Sequence, residues 1–252
     1  MWAYIIVNLI NVGGLYLAAR TFRGNIPALL TSYALLFSIF YGQIDGLWAG
    51  ALVVMYVGIK RENTGLAVLA WLVALIKIYI GFPLGIGLLW CFASRKQMVQ
   101  ILGFTGIMML LSFLVYGFYP QEILERAAQF PPDDEYAIDL WQYVGPIILL
   151  LWVPIIVTRN RDYRLFVVTW ALTTPYLHVH GLTHLLVVLG PIAWTNHFGY
   201  FIALVLGDQL LMILLQGTAL IVYMMFLYRL YRARFVKADA SDINMIAGET
   251  PS

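Results

Sequence analysis

Lys77 is the residue in this chain whose position most invites chemistry. It lies inside the apolar run from Leu72 to Pro83, where an ionisable group costs roughly 2.5 kcal/mol or more unless it is paired or solvated. An ammonium there can hold an anion such as a lipid phosphate, or its long stem can carry the charge out to the interface. Gln43 and Asp45 occupy a polar break between two apolar runs, in Gly42-Gln43-Ile44-Asp45-Gly46. A carboxylate at such a corner could act as a general base or as counter-ion to Lys77. It could equally belong to an ordinary turn, where Asp and Gly are common. His178, His180 and His184 surround Gly181. His180 and His184 would share a helix face, but no carboxylate lies within the motif to complete a zinc site. The spacing across two helices that bis-histidine haem needs cannot be read from it. Contact with a substrate oxygen or phosphate, or a structural role, therefore stands ahead of metal. Asp208-Gln209 sits within another apolar stretch, as a functional carboxylate or as one protonated or packed against Gln216.

The elements that must position these residues are membrane helices. Hydrophobic residues make up 62% of the 252 and charged residues 11%, against about 25% charged in soluble domains. The apolar stretches are continuous rather than alternating, which predicts an all-α polytopic membrane bundle and not a barrel. Thirteen of the fifteen Lys and Arg residues fall in short stretches between apolar runs: Arg20/Arg23, Lys60/Arg61, Arg95/Lys96, Arg159/Arg161/Arg164 and Arg229/Arg232/Arg234/Lys237. Glu122, Glu125, Asp133, Asp134, Glu135 and Asp139 instead share one loop with Arg126. Short cytoplasmic loops retain Lys and Arg. This split predicts basic turns and the C-terminus in the cytoplasm and the 118–140 loop outside, in a protein of the bacterial cytoplasmic membrane.

Topology thus accounts for the basic residues, and no nucleic-acid partner is implied. The single cysteine, Cys91, excludes an intrachain disulfide and a cysteine-built metal site. The first apolar run, 2–19, lacks the basic start and the small-residue cleavage pattern of a signal peptide.

Eight to ten membrane segments are expected, some short or broken. Residues 27–41 and 47–59 should form two arms meeting at Gln43/Asp45, beginning at Pro27, a good first-turn residue. Residues 65–93 should form another pair, breaking at Gly81-Phe82-Pro83. Spans 98–117 and 142–157 flank the outer loop, which holds a short amphipathic helix over 121–130. Residues 165–195 read either as a hairpin or as one broken crossing, followed by 198–228. A single membrane domain, 1–237, precedes a polar tail, 238–252, expected to be disordered.

The run Gly42-Gln43-Ile44-Asp45-Gly46-Leu47-Trp48, then Gly65-Leu66-Ala67 with Lys77 and Pro83, resembles a motif of polyprenol-phosphate-dependent glycosyltransferases. The group is the GT-C superfamily, family 87 mannosyltransferase-like, with its Gly-Gln-x-Asn and Gly-Leu-Ala-x-x-x-Lys-x-x-Pro pattern. Thr174-Pro175-Tyr176-Leu177-His178-Val179-His180, with Leu189-Gly190-Pro191, resembles that group's later Pro- and His-containing stretch. The resemblance covers roughly residues 25–195, in order. It implies a GT-C-like bundle, a polyprenyl-phosphate-sugar donor and inversion at the anomeric carbon. Lys77 would bind the donor phosphate, and Gln43, His178, His180 and His184 would lie near the cavity.

Asp45 stands where the group has Asn. The superfamily's catalytic acid lies in an earlier outer loop, and here no acidic residue precedes Asp45. The chain therefore resembles the C-terminal portion of such an enzyme. Asp45 and Glu122 are the weak candidates for a base, and no metal or other cofactor is called for. Two functions follow. One is a glycosyltransferase part acting with partner membrane chains, and the other is a non-catalytic subunit of a larger membrane complex. Membrane lipid is a partner in either case. A transporter is a weaker third reading, because broken helices also mark transport sites but no inverted repeat is visible.

Overall fold

The computed structural model describes residues 2–117, 140, 144–174, 181–195, 197 and 217–232. Among them every regular element is helical. Three stretches are long and apolar enough to cross a membrane: Trp2–Phe22, Thr64–Phe92 and Arg95–Val115. The bent pair Tyr33–Phe40 and Asp45–Lys60, folded by 113°, is a fourth candidate. The 118–140 loop (Leu140 apart), the 121–130 helix, most of 198–228 and the 238–252 tail lie outside the described residues.

Helix α1 (Trp2–Phe22) opens the bundle and buries Asn11, Leu15, Ala18 and Ala19. After the turn at Arg23, α2 (Ile26–Leu30) starts with Asn25 as cap, its side chain accepting from the Ala28 amide, and Pro27 in the first turn. Ser32 caps α3 (Tyr33–Phe40) in the same way through the Leu35 amide. The two short helices climb back along α1, until the Tyr4 hydroxyl donates to the Ile39 carbonyl at 2.7 Å. Gly42, with a φ of +65°, makes the corner that an L side chain disfavours. Helix α4 (Asp45–Lys60) then descends parallel to α1. The order of facing pairs, Asn11 with Gly46 and Phe22 with Tyr56, fixes that direction.

Close approach of α1 and α4 rests on glycine. A Cβ on Gly46 would lie 1.7 Å from the Asn11 carbonyl oxygen, and one on Gly14 1.8 Å from the Gly46 oxygen. Without a hydrophobic driving force in lipid, such backbone contact is a main source of helix association.

Helices α5 (Thr64–Ala74) and α6 (Ile78–Phe92) are joined by a 3₁₀ turn, Leu75–Lys77. Although Thr64–Phe92 is long enough for one crossing, it doubles back. The Trp71 indole donates to the Gly81 carbonyl at 3.0 Å. Gln97, just past α6, donates to Ile59, just before α5, at 2.9 Å. A straight helix of this length would hold its ends about 43 Å apart at 1.5 Å per residue.

The pair of arms is thus present, but its break falls at Leu75–Lys77 rather than at Gly81-Phe82-Pro83. Pro83 sits inside α6. Proline there removes the hydrogen bond to the carbonyl four residues earlier. That carbonyl, Tyr79 O, instead accepts from the Trp170 indole at 3.1 Å, so the helix continues.

A capping box, Ser94 with Gln97, starts α7 (Arg95–Tyr116). Of its apolar window only 11% is buried inside the protein. A 3₁₀ segment (Gly145–Leu151) continues into α8 (Trp152–Val157). The α9 helix (Tyr163–Thr173) is capped by Asp162 through the Arg164 amide. The chain returns through α10 (Leu182–Leu186) and a 3₁₀ turn, Gly190–Ala193. Val187 and Val188 lie beside Tyr163 around one small cavity, so α9 and the segment after it run in opposite directions. The described parts of 165–195 thus run antiparallel, as the hairpin reading expects. A last helix, α11, covers 217–232.

Four of the basic turns gather at one end, Gln97 beside Arg95 and Lys96 reaching Ile59. Arg23, Arg161 and Arg164 share a pocket with Tyr56 and Phe92. The Lys60 ammonium lies 5.2 Å from the Phe92 ring centre.

Candidate functional site

The first of the bent pairs delivers Asp45 to the middle of the bundle. The residue opens α4, where the helix dipole favours a carboxylate. Facing it is Asn11, nine residues from each of Trp2 and Arg20 along α1. At 1.5 Å per residue this is about 14 Å from either level, halfway through a hydrocarbon core about 30 Å thick.

Asp45 has no solvent exposure there. Its Oδ1 receives the Lys77 ammonium at 2.7 Å, and its Oδ2 receives the Ser38 hydroxyl at 3.1 Å. Ser38 in turn accepts from Asn11 Nδ2 at 3.1 Å, while Asn11 Oδ1 accepts the Gly46 amide at 2.6 Å. A hydroxyl has one proton to give. The Gln43 carbonyl, 3.3 Å from Ser38 Oγ, competes for it with the carboxylate, whose charge makes the stronger bond. A chain of polar contacts thus runs from α1 through α3 and α4 to the α5–α6 turn.

Lys77 reaches this point because the 3₁₀ turn places it at the end of its hairpin. Its side chain keeps 14% of its surface exposed, and its ammonium sits 5.4 Å from the centre of the Tyr79 ring, a cation–π distance. On the remaining side α10 presents His184, buried, with Nε2 3.9 Å from Asp45 Oδ1. That separation exceeds a hydrogen bond, but protonation would place a second cation beside the carboxylate. The His184 ring meets the Trp170 ring edge-on at 6.4 Å. The same Trp170 holds Tyr79 O.

Of the residues singled out from sequence, Lys77, Asp45 and His184 converge here. Gln43 contributes its backbone, its amide donating to the Ser38 carbonyl at 2.8 Å. Glu122, His178, His180 and the Asp208-Gln209 step lie outside the described residues. Asn11 and Ser38 were not singled out. Asn11 could have been, as a polar residue within the first apolar run, one turn before Gly14. Ser38 carries little signal, because serine is common in membrane helices and only the fold brings it to Asp45. No group of three His, Cys, Asp or Glu is arranged to hold a metal ion among the described residues.

The described chain is all-helical, with three helices, or four counting the bent pair, long and apolar enough to cross a membrane, and a lysine–aspartate pair within the bundle. Comparison with protein-family models, with curated proteins and with solved structures finds no match.

Proposed function

We propose that this chain is a GT-C-like membrane protein that receives the phosphate of a polyprenyl-phosphate-linked sugar at Lys77 and acts together with partner chains. The observation that carries the reading is the Lys77–Asp45 pair, 2.7 Å apart, with the Asp45 side chain fully buried. An ionisable pair within a membrane bundle marks a functional site, and this pair is taken as an anion site in its resting state. A phosphate, with more charge and more acceptor oxygens than a carboxylate, can take the ammonium while Asp45 keeps Ser38. Held so, Lys77 would stabilise the negative charge that grows on a departing polyprenyl phosphate.

Transfer also requires a base at the acceptor hydroxyl. The described acidic residues are Asp45, Glu62 and Asp162. Glu62 and Asp162 are exposed at the basic end, and Asp45 is engaged by Lys77 and Ser38. Among the described residues no carboxylate is free for that role, so the base is assigned to Glu122, outside them, or to a partner chain.

The test is photocrosslinking of the purified protein with a diazirine-bearing polyprenyl phosphate and with the matching neutral polyprenol. Labelling near Lys77 is expected for the phosphate alone. Equal labelling by both compounds would remove the phosphate role.

A non-catalytic subunit is the second reading. It draws on α7, whose apolar span is only 11% buried and leaves a broad face for lipid or another chain. Co-purification in mild detergent separates the two readings. An enzyme part should retain a partner with an acidic outer loop, and a subunit should retain a stoichiometric assembly that does not depend on Lys77.

A further inference from the structure

At the basic end of the bundle, about 16 Å along α1 from Asn11, lies a second site that the central cluster does not use. It is a half-open pocket of about 300 Å³ lined by Thr21, Phe22, Arg23, Tyr56, Phe92 and Arg161–Arg164. Four helices build it: the end of α1, the lower half of α4, the end of α6 and the start of α9. Its floor is aromatic. The Phe22 ring lies 5.6 Å from Tyr56 and 4.9 Å from Tyr163, and Phe92 lies 4.9 Å from Tyr56. Lys60 sits 5.8 Å from the Tyr56 ring centre.

The charges on the rim do not cancel. Arg23, Arg161 and Arg164 stand against one carboxylate, Asp162, whose side chain caps α9 through the Arg164 amide at 2.9 Å. Among the described residues no ion pair engages any of the three arginines. Turn charges that only set orientation would need neither a pocket between four helices nor an aromatic floor. A guanidinium fork matches phosphate oxygens two at a time, and basic pockets between membrane helices take anionic headgroups.

We propose that this pocket binds the phosphate headgroup of an anionic phospholipid from the leaflet facing the basic turns. The headgroup lies between Arg23, Arg161 and Arg164, with its glycerol end on the aromatic floor. Occupancy joins α1, α4, α6 and α9 at the basic end. This site stands apart from Lys77, so failure of polyprenyl-phosphate binding leaves it untouched.

The test uses the full chain in nanodiscs of phosphatidylglycerol and phosphatidylcholine with matched acyl chains, reading lipid retained after extraction by native mass spectrometry. The wild type is expected to prefer phosphatidylglycerol roughly tenfold, a preference that R161Q/R164Q abolishes. If that variant does not fold, R161K/R164K keeps the charge but loses the fork, and is expected to cut the preference about threefold. No preference in the wild type, or an undiminished preference in the variants, overturns the proposal. Millimolar inorganic phosphate should leave the lipid in place. Displacement of the lipid would assign the pocket to a soluble phosphate instead and overturn the lipid assignment.

Discussion

At mid-depth Asp45 has no exposed surface and is bonded to Lys77 and Ser38, with His184 behind it. At the basic end Arg161, Asp162 and Arg164 stand exposed around an open pocket. Between the two regions the bundle is packed with Ala18, Leu52, Leu84 and Val188 around a void of about 10 Å³, which is marginal even for one water. The difference follows from the surroundings. A charge in hydrocarbon must be neutralised within the protein, so it arrives with its partner and can change partners only for a stronger anion. A charge at the interface keeps its hydration and can wait for a ligand.

The comparison breaks most severely if the α1–α4 seam opens, because that seam brings Asn11 to Asp45. Gly46→Ala would drive a methyl onto the Asn11 carbonyl, 1.7 Å away, and is expected to cost more than about 4 kcal/mol. Gly50→Ala meets only the Gly14 Cα at 3.6 Å and should be nearly neutral. Thermal unfolding of the two variants in detergent measures the contrast, and equal losses would contradict the seam.

Removing one member of the pair comes next. Lys77→Met leaves a fully buried carboxylate and should cost about 3–5 kcal/mol. Asp45→Asn should cost less, since the lysine stem still has an exposed side along which to turn its head. Equal losses for the two, read in the same assay, would contradict that asymmetry. Ser38→Ala should be smallest, about 1 kcal/mol, and a neutral result there would mean that the Gln43 carbonyl, not Asp45, holds the hydroxyl proton.

Orientation is tested separately. In intact cells a cysteine replacing Asp134 should react with an impermeant maleimide, whereas one replacing Lys96 should react only after permeabilisation. The reverse pattern would overturn the assignment of the basic end to the cytoplasm.

Much of the bundle could be read from the chain because membrane physics leaves few choices. Apolar length, basic turns, Pro27 and the polar corner at Gln43/Asp45 located the helices and the first bent pair. The meeting of Lys77 with Asp45 followed from two adjacent hairpins whose corners face the same way. The second break was misplaced because Pro83 was read as a helix breaker. Its cost depends on the carbonyl it frees, and Trp170, ninety-one positions away, takes that carbonyl. The network's inner members were likewise set by tertiary contact. Asn11 and Ser38 matter only because α1 and α4 meet at glycine contacts and α3 brings Ser38 to the same place, and no local pattern announces that. Whether 165–195 turned back was open from sequence, because Pro175, Gly181 and Pro191 suit either path; the described arms lie antiparallel, with Val187 and Val188 beside Tyr163.

The most direct measurement of the central claim is polyprenyl-phosphate binding to the wild type, Asp45→Asn and Lys77→Gln, reconstituted in nanodiscs. Asp45→Asn removes the intramolecular competitor for the ammonium. If Lys77 is an anion site held in reserve by Asp45, this variant should bind more tightly than the wild type, and Lys77→Gln should lose binding. Equal weakening in both variants would show the pair to be a structural clasp and contradict the account.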